Sequence, residues 1–406
     1  MVLKFRRETE FKQTEIGEIP KDWDIIKLGE LANIKTGKTN VQDAVENGKY
    51  PLFDRSGELK RSNKYLFDTE AVIVPGEGKD FLPKYYVGKF DLHQRTYAIF
   101  NFKPDLKGRY FYFAMFILRH YLKEWAVGST VLSLRLPIFK QLPIPRPPHS
   151  EQSRIATVLS WFDDLIENKK RQNEILEKVA IAIFKSWFVD FEPFKNEEFV
   201  YSEELGKEIP EGWEVDFATR LIDYNPSIRL EKEEVYPFVE MKQVYTNSAV
   251  CEFSFRKFNG SGVKYYGGDT LMARITPSLE HGKTAFVWFI SENEKGFGTT
   301  EFFVLHPKKS WLKEFIYLLA KNEDFRDTAI NSMTGTSGRQ RADVEALKSY
   351  LIPIPPPLIL QKFHSLVEPL FQKIILNQKQ TMILRKIRDT LLPKLVFGKL
   401  RVEVLR

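Results

Sequence analysis

Two long stretches of the chain place apolar residues three and four positions apart, the spacing that puts side chains on one face of a helix. Each stretch covers roughly 35–38 residues, or about 55 Å of helix at 1.5 Å per residue. The first apolar stripe consists of Ile155, Val158, Leu159, Phe162, Leu165, Ile166, Leu176, Val179, Ile183 and Phe184. The second consists of Phe363, Leu366, Val367, Leu370, Ile374, Leu384, Ile387 and Leu391. We predict two long helices, the first capped by Ser150 and the second kinked at Pro369.

Both predicted helices become polar near the middle, at residues 167–173 (Glu-Asn-Lys-Lys-Arg-Gln-Asn) and 377–381 (Asn-Gln-Lys-Gln-Thr). Two such helices can pack middle to middle if they run antiparallel. The pattern therefore predicts an antiparallel, coiled-coil-like pair with a pseudo-two-fold axis at the polar segments and globular domains at opposite ends. The alternative is that each helix packs only on its own domain, but the predicted length argues against it.

Shorter patterns outside the long helices are typical of mixed α+β domains. Four short apolar runs, bounded in places by glycine and proline, predict buried strands at residues 71–74, 97–100, 285–290 and 300–305. Residues 109–124 and 311–322 carry apolar positions at helical spacing. The fold class predicted from these elements is α+β, with mixed β-sheet and helices in each globular part.

The chain also repeats itself once. Four pairs of similar segments follow in the same order: residues 19–23 and 209–213 (Ile-Pro-x-x-Trp), 128–130 and 335–337, 142–145 and 352–355 (Leu/Ile-Pro-Ile-Pro), and Gln152 and Gln361. Four echoes in one order indicate a duplication. We predict a first globular domain at residues 1–149, a long helix at 150–189, a second domain at 190–356, and a second long helix with a C-terminal tail at 357–406.

A proline-rich segment precedes each long helix, at residues 142–148 and 352–357. Proline fixes φ and stiffens an extended chain. These segments are therefore predicted to hold each domain at a set angle to its helix, with an ordinary linker as the alternative.

Charge and cysteine content narrow the class of protein. The 406 residues include 61 Lys and Arg against 54 Asp and Glu, a net charge of +7 that is compatible with nucleic-acid binding without establishing it. The single cysteine, Cys251, excludes an intramolecular disulfide and a multi-cysteine zinc site. The start lacks the apolar core of a signal peptide, and the longest apolar run, residues 110–118, is too short to cross a bilayer. We expect a cytoplasmic protein.

An enzyme that acts on DNA with its own nuclease or methyltransferase site is the main alternative. Residues 225–227 (Asn-Pro-Ser) lack the Asn/Asp-Pro-Pro-aromatic loop of adenine methyltransferases, and residues 34–39 resemble half a P-loop with Ala32 where glycine is needed. Glu-x-Lys triplets at residues 58–60 and 77–79 are common by chance in so charged a chain. The six histidines show no metal-ligand spacing. We therefore predict no catalytic residue and no metal site. A purely structural scaffold is a third class, which predicts no DNA affinity without partners.

The repeated segments resemble those of type I restriction-modification specificity subunits. The resemblance rests on the Gly-Ser/Thr-Thr segment, the Ile-Pro-x-Pro segment, Glu151-Gln152 before a long helix, and residues 184–193 (Phe-Lys-Ser-Trp-Phe-Val-Asp-Phe-Glu-Pro) at its end. It covers the full length in the family's order. The second copy departs from it, with Leu360-Gln361 in place of Glu-Gln and a different helix end at residues 392–398.

This resemblance implies a non-catalytic subunit of a complex that methylates adenine at N6 and cuts unmodified DNA. Each globular domain would be a target-recognition domain that reads half of a bipartite, asymmetric site on double-stranded DNA. The helices would set the spacer and bind two methyltransferase subunits, and restriction subunits would join them. S-adenosylmethionine, ATP and Mg would bind to those partners and no cofactor to this chain, and no membrane would be involved.

Residues that contact DNA are expected among polar and basic side chains in glycine-bearing loops. The candidates in the first copy are Lys38, Arg55, Lys79, Gln94, Arg95, Thr96, Ser129, Thr130 and Arg135. Those in the second copy are Arg274, His281, Lys283, Thr299, Thr300, Thr336, Ser337, Arg339, Gln340 and Arg341. For any one of them a solvated surface loop is the alternative. The aromatic residues Trp187, Phe188 and Phe397 at the helix ends are expected to be exposed anchors for the methyltransferase.

Overall fold

The computed structural model describes residues 3–57, 59–128, 131–336 and 338–404, and the chain divides into two compact units. Unit 1 comprises residues 1–166 and 383–406, and unit 2 comprises residues 167–382. Both units combine β-sheets with helices. The predicted α+β class with two globular parts is therefore confirmed.

From the N-terminus to the first long helix, the elements belong to unit 1 until that helix crosses into unit 2. They are β1 Leu3–Arg7, β2 Phe11–Thr14, β3 Gly17–Pro20, β4 Asp24–Lys27, α1 Leu28–Leu31, β5 Asn33–Thr36, β6 Tyr50–Phe53, β7 Lys60–Ser62, β8 Phe67–Pro75, β9 Lys84–Leu92, β10 Thr96–Phe100, α2 Gly108–Trp125, α3 Leu136–Gln141, β11 Pro143–Arg146 and α4 His149–Phe188.

The remaining elements belong to unit 2 until the second long helix returns to unit 1. They are β12 Phe199–Ser202, β13 Lys207–Pro210, β14 Glu214–Phe217, β15 Ile222–Tyr224, β16 Val235–Val239, β17 Ser254–Lys257, β18 Val263–Tyr266, β19 Thr270–Ala273, β20 Thr284–Phe286, β21 Lys295–Gly298, β22 Phe302–Pro307, α5 Lys313–Lys321, α6 Glu323–Asn331, α7 Val344–Lys348, β23 Leu351–Ile354, α8 Pro357–Val396 and β24 Leu400–Val404.

Unit 1 is built around a six-stranded sheet in the order β5-β10-β8-β9-β6-β7, with β6 and β9 as its parallel pair. The predicted strands at residues 71–74 and 97–100 lie in β8 and β10, and the predicted helix at 109–124 is α2. Their apolar residues pack with the fully buried Trp23, Phe111 and Phe139. Both strands that flank the turn between β9 and β10 therefore contribute side chains to the core of unit 1.

Unit 2 contains two four-stranded sheets, in the orders β15-β22-β19-β20 and β17-β16-β21-β18. The predicted strand at 300–305 lies mostly in β22. The predicted strand at 285–290 is wrong after Phe286, where β20 ends. Val287 leaves the sheet to bond with Asp269 (N to O, 2.9 Å), and the run stays apolar because it is buried in irregular chain.

Each proline-rich segment contains a short strand, β11 in the first and the end of β23 in the second. In unit 1, β11 pairs antiparallel with β4, and in unit 2, β23 pairs antiparallel with β14. The Ile-Pro-x-x-Trp segment therefore enters a strand whose partner is the Pro-Ile-Pro segment more than a hundred residues later. The linker interpretation is wrong, because each segment is hydrogen-bonded within its own unit.

The two long helices have 40 residues each. Helix α4 begins at His149, so Ser150 lies in its first turn and the predicted cap is wrong. Helix α8 continues through Pro369 to Val396. In unit 2 Lys169 donates to Gln380, and Asn173 donates to the carbonyl of Ile374 (3.2 Å). The residue numbers rise along α4 as they fall along α8, which is the order of contacts between antiparallel helices.

The apolar stripes are only partly buried. Four predicted positions are exposed, Leu165, Val179, Leu366 and Ile387. Polar residues occupy buried positions of the helices instead, Asn173, Glu177, Asn377 and Thr381. Periodicity of apolar residues cannot detect these positions, because polar side chains occupy them; Asn173, Glu177 and Asn377 each form a hydrogen bond there.

The first and last strands close unit 1. Strand β1 pairs antiparallel with β24 along its whole length. From β24 the buried Arg401 donates to Glu151 (2.6 Å), Asp22 (2.8 Å) and Glu8 (2.7 Å). This ion cluster ties the chain ends to the start of α4.

The carboxyl group of Glu8, which belongs to that cluster, has a lowered pKa. Partial burial opposes its ionisation, but the amides of Thr9 and Glu10 and the guanidinium of Arg401 donate to its carboxylate. These bonds lower the pKa of Glu8 from 4.5 to about 2.

Within the described ranges, no helix is long and apolar enough to span a membrane.

Candidate nucleic-acid interface

The turn between β9 and β10 is where several predicted residues of unit 1 meet. The Lys38 amide donates to the carbonyl of Leu92 (3.1 Å), and the Gln94 amide donates to the carbonyl of Thr39 (3.0 Å). A Cβ at Gly37 would lie 1.8 Å from the Leu92 oxygen, so only glycine permits this approach. The loop after β5 is thus bound to one side of the turn.

Two further segments bind the other side of the turn. The His93 amide donates to Phe53 (2.9 Å), which brings Arg55 close, and the Gly76 amide donates to the carbonyl of Arg95 (2.9 Å). The turn therefore gathers side chains from residues distant along the chain.

The carboxylate of Glu77 holds two of the gathered arginines. It accepts Nη1 of Arg95 at 2.8 and 3.0 Å and Nη1 of Arg55 at 2.5 Å. Burial raises the pKa of Glu77, but the hydrogen bonds from Arg95 and Arg55 outweigh it and hold the pKa below its ordinary value. Two guanidinium charges against one carboxylate leave one positive charge, which attracts an anion.

A neighbouring histidine stays uncharged. Burial, and then the charge of Arg55, lower the pKa of His93. Its Nδ1 accepts the Arg95 amide (3.1 Å). His93 therefore fixes the Arg95 backbone and adds no charge at neutral pH.

A hairpin loop completes the junction in unit 1. Val127 and Ser133 exchange two backbone hydrogen bonds (3.0 and 2.8 Å), and the Leu134 amide donates to the carbonyl of Gly76 (2.8 Å). Gly128 begins this loop with φ +123°. The candidate residues Ser129 and Thr130 lie outside the described residues.

Unit 2 contains a junction with the same hydrogen bonds. The Arg274 amide donates to the carbonyl of Glu301 (2.9 Å), and the Ala342 amide donates to the carbonyl of Arg274 (2.8 Å). Thr334 and Arg341 exchange two backbone hydrogen bonds (3.0 and 2.9 Å), and Gly335 begins their loop with φ +123°. Backbone bonding thus places Arg274, Glu301 and Ala342 where unit 1 has Gly76, Arg95 and Leu134.

A carboxylate holds an arginine in this second junction as well. Glu301 accepts Nε and Nη2 of Arg341 at 2.9 and 2.6 Å, a bidentate pair. These bonds hold the pKa of Glu301 below its ordinary value. Arg274 lies over the ring of Phe303 (5.0 Å) and donates to the carbonyl of Ala342 (3.2 Å).

Most predicted DNA contacts are accessible. The exposed ones are Lys38, Arg55, Lys79, Gln94, Arg95, Arg135, His281, Thr300, Thr336, Arg339 and Arg341. The half-buried ones are Arg274, Lys283, Thr299 and Gln340. Thr96 is 0% exposed, so a direct contact from its side chain is wrong, because it begins β10 inside the sheet. Ser337 lies outside the described residues.

The sequence interpretation missed the two carboxylates. Glu77 enters the sequence analysis only within the Glu-x-Lys triplet at residues 77–79, yet its oxygens are bound by two arginines. Asn225, part of the methyltransferase-like triplet, is bonded to Val304 through both its amide and its side chain (2.8 and 2.9 Å). In the part of the chain that the structure describes, no group of three or more His, Cys, Asp or Glu is placed to hold a metal ion.

The aromatic residues at the helix ends are not exposed anchors. Phe188 is 5% exposed and packs on Phe363 (4.8 Å) and Phe315 (5.0 Å) in the core of unit 2, so that expectation is wrong for Phe188. Trp187 and Phe397 are half-buried. The exposed apolar side chains on the long helices are Trp161, Leu165, Ile383 and Ile387 in unit 1 and Ile175, Val179, Leu358, Leu366, Leu376 and Met382 in unit 2.

A model of the type I restriction modification DNA specificity domain matches residues 20–178 and again residues 214–384. The type I restriction enzyme MjaIX specificity subunit of Methanocaldococcus jannaschii is 39% identical, over 100% of this chain and 99% of that protein. The EcoDI specificity subunit of Escherichia coli is 34% identical over 40% of this chain and 36% of that protein.

A solved structure shares the fold. The crystal structure of a type I restriction-modification S subunit from M. genitalium aligns with a TM-score of 0.56 at 20% identity. The alignment covers 92% of this chain and 96% of that one.

Proposed function

The chain belongs to the family of type I restriction-modification DNA specificity subunits, and we propose that each of its units reads one half of a bipartite, asymmetric DNA site. The observation that carries the proposal is the loop junction that occurs once in each unit with the same backbone hydrogen bonds. A common backbone frame can present different side chains to different base pairs.

The side chains on the two frames differ in charge and shape. The turn before β10 presents Arg95, whereas Glu301 stands at the matching position before β22. The sequence at residues 128–132 (Gly-Ser-Thr-Val-Leu) has no charged residue, and the sequence at residues 335–340 (Gly-Thr-Ser-Gly-Arg-Gln) carries Arg339. The two half-sites are therefore expected to differ in sequence.

The second part of the proposal concerns the partners. A methyltransferase subunit docks on each half of the helix pair, so the complex holds two of them, and restriction subunits join that complex. Exposed apolar side chains on α4 and α8 support this, because large apolar residues at the centre of an interface supply much of its affinity. Trp161 and Leu165 are one helical turn apart and about half exposed, which favours them over the buried Phe188.

The partners carry the chemistry in this proposal. The methyltransferase uses S-adenosylmethionine to methylate adenine, and the restriction subunit uses ATP and Mg. This chain contributes recognition of the site. The helices α4 and α8, each about 60 Å long at 1.5 Å per residue, set the spacer between half-sites.

The experiment changes the reading loops of one unit only. The triple variant Thr336→Ala, Arg339→Ala, Arg341→Ala is assembled with its methyltransferase subunit, and the DNA it binds is selected from a randomised pool and sequenced. We expect one half-site to lose its sequence preference while the other is retained. The matched control removes two charges beyond the opposite end of β22, Lys308→Ala with Lys309→Ala, and should leave both half-sites intact. Loss of both half-sites, or of neither, in the triple variant contradicts the proposal.

A further inference from the structure

The guanidinium of Arg95 is only partly used within the protein. Nη1 makes both of its hydrogen bonds to Glu77, so the edge formed by Nε–H and Nη2–H bonds to no residue in the described chain. The side chain is 56% exposed, whereas that of Glu77 is 16% exposed. One end of the guanidinium is therefore fixed, and the other presents two parallel donors to solvent.

The backbone beneath this side chain is also fixed. The Arg95 amide donates to Nδ1 of His93, and the Arg95 carbonyl accepts the Gly76 amide. A Cβ at Gly76 would lie 2.8 Å from that carbonyl oxygen, so the close approach requires glycine. A donor pair held at both backbone and side chain loses little conformational entropy when it binds.

We propose that Arg95 reads a guanine in the half-site of unit 1 and that Glu77 is its positioning residue. The inference rests on the proposed function and names the side chain and the base. Guanine offers two adjacent acceptors, O6 and N7, on its major-groove edge, and an arginine fork matches them with two parallel hydrogen bonds. Arg55, bound to the same carboxylate, supplies the second positive charge, which suits a neighbouring phosphate.

Unit 2 provides the contrast. There Nε and Nη2 of Arg341 are both bound to Glu301, so the fork that Arg95 presents is already occupied in Arg341. Only Nη1 of Arg341 is left to donate a hydrogen bond to DNA. Arg341→Lys therefore serves as the control for the same substitution made in the other unit, where the fork is not free.

The test separates geometry from charge. Arg95→Lys keeps the positive charge and removes the fork. The complex with the methyltransferase subunit selects DNA from a randomised pool, and its affinity for unrelated DNA is measured against salt concentration. We expect discrimination for guanine at one position of one half-site to fall about 5- to 150-fold. Affinity for unrelated DNA should change by less than about twofold, because the phosphate contacts and charge remain. Arg341→Lys should leave that half-site unchanged.

A second variant tests the positioning role. Glu77→Gln keeps both arginines charged and weakens their common anchor. We expect the same guanine position to lose discrimination while affinity for unrelated DNA increases, with a salt dependence steeper by about 0.9 for each added phosphate contact. A residue that only stabilised the fold would not increase binding to unrelated DNA.

The outcomes distinguish the inference from the function beneath it. If wild-type protein selects a bipartite sequence and Arg95→Lys weakens binding equally at all sequences, Arg95 is a phosphate contact and the inference is overturned. An unchanged guanine preference in Arg95→Lys overturns it as well. If the wild-type complex selects no sequence, the proposed function itself fails. Thermal unfolding is measured for each variant and should stay near the wild-type temperature, because Arg95 and Arg341 are exposed and Glu77→Gln keeps the shape of the side chain; this excludes loss of folding as the cause.

Discussion

Helix length is the feature of this molecule whose effect on DNA can be worked out in base pairs. Helices α4 and α8 are the segments through which the chain passes between the two units. Lys169 bonds to Gln380, and Asn377 donates to Asn173 (2.9 Å), so residues 169–175 lie opposite residues 375–381 to within about one residue. Deleting both heptads removes facing segments, including the buried Asn173 and Asn377 together, and keeps the apolar positions in phase.

The deletion shortens each helix by about 10 Å at 1.5 Å per residue. If the helices set the separation of the half-sites, the preferred spacer shrinks by about three base pairs at 3.4 Å each. Three base pairs also rotate one half-site by about 100° at 10–10.5 pairs per turn, so overall affinity should decrease. Both half-site sequences should persist, because the reading loops are untouched.

The assay measures binding to a series of duplexes that carry the wild-type half-sites with spacers of graded length. Deleting the heptad from α4 alone is the control, since it leaves an unmatched α8 and should impair folding or binding at every spacer. An unchanged preferred spacer with wild-type affinity in the double deletion would refute the reasoning and leave the helices as a docking surface.

Three further predictions concern stability and assembly. Arg401→Met should lower the free energy of unfolding by about 3–5 kcal/mol in a denaturant titration, because it leaves buried carboxylates uncompensated, whereas Arg6→Met on the exposed face of the same ribbon should cost less than about 1 kcal/mol. Since the pKa of Glu8 in the folded protein is about 2, below its ordinary 4.5, its contribution to stability is present above pH 4.5 and is lost as the pH falls toward 2. Glu8→Gln should flatten that part of the pH profile of the free energy of unfolding, and an unchanged profile would contradict the assignment. Trp161→Ser with Leu165→Ser should reduce the methyltransferase content from two subunits to one by native mass spectrometry, and a retained 2:1 complex would exclude docking there.

The sequence predicts elements whose apolar spacing is local and regular. Helices α2, α4 and α8 and strands β8 and β10 follow from such patterns, because one buried face repeats at a fixed period. The pairing of β4 with β11 does not, since its partners Asp24 and Arg146 lie 122 residues apart in the chain. Asn173 and Asn377 also escape the pattern, because a polar residue in a buried position is recognised only through its hydrogen bonds.

Candidate DNA contacts are predicted from residue type and loop position, and this approach also fails for residues whose role depends on a partner distant in the chain. Arg95 and Arg341 are among the predicted contacts because basic residues in glycine-bearing turns are typical of DNA contacts, and that they touch DNA stays a prediction. Glu77 and Glu301 were missed because a carboxylate is repelled by phosphate and gains a role here only through the arginine it holds. Thr96 was misplaced since it stands one residue past the turn, inside a strand.

The most direct test of the central claim is to sequence methylated adenines in a genome that carries this chain with its methyltransferase partner. Two different half-sites should appear, separated by a spacer of fixed length and unspecified sequence. Substituting the loops of unit 2 should change one half of this motif, and substituting the loops of unit 1 should change the other half. A single continuous or palindromic motif would contradict the account of two units that each read one half of the site.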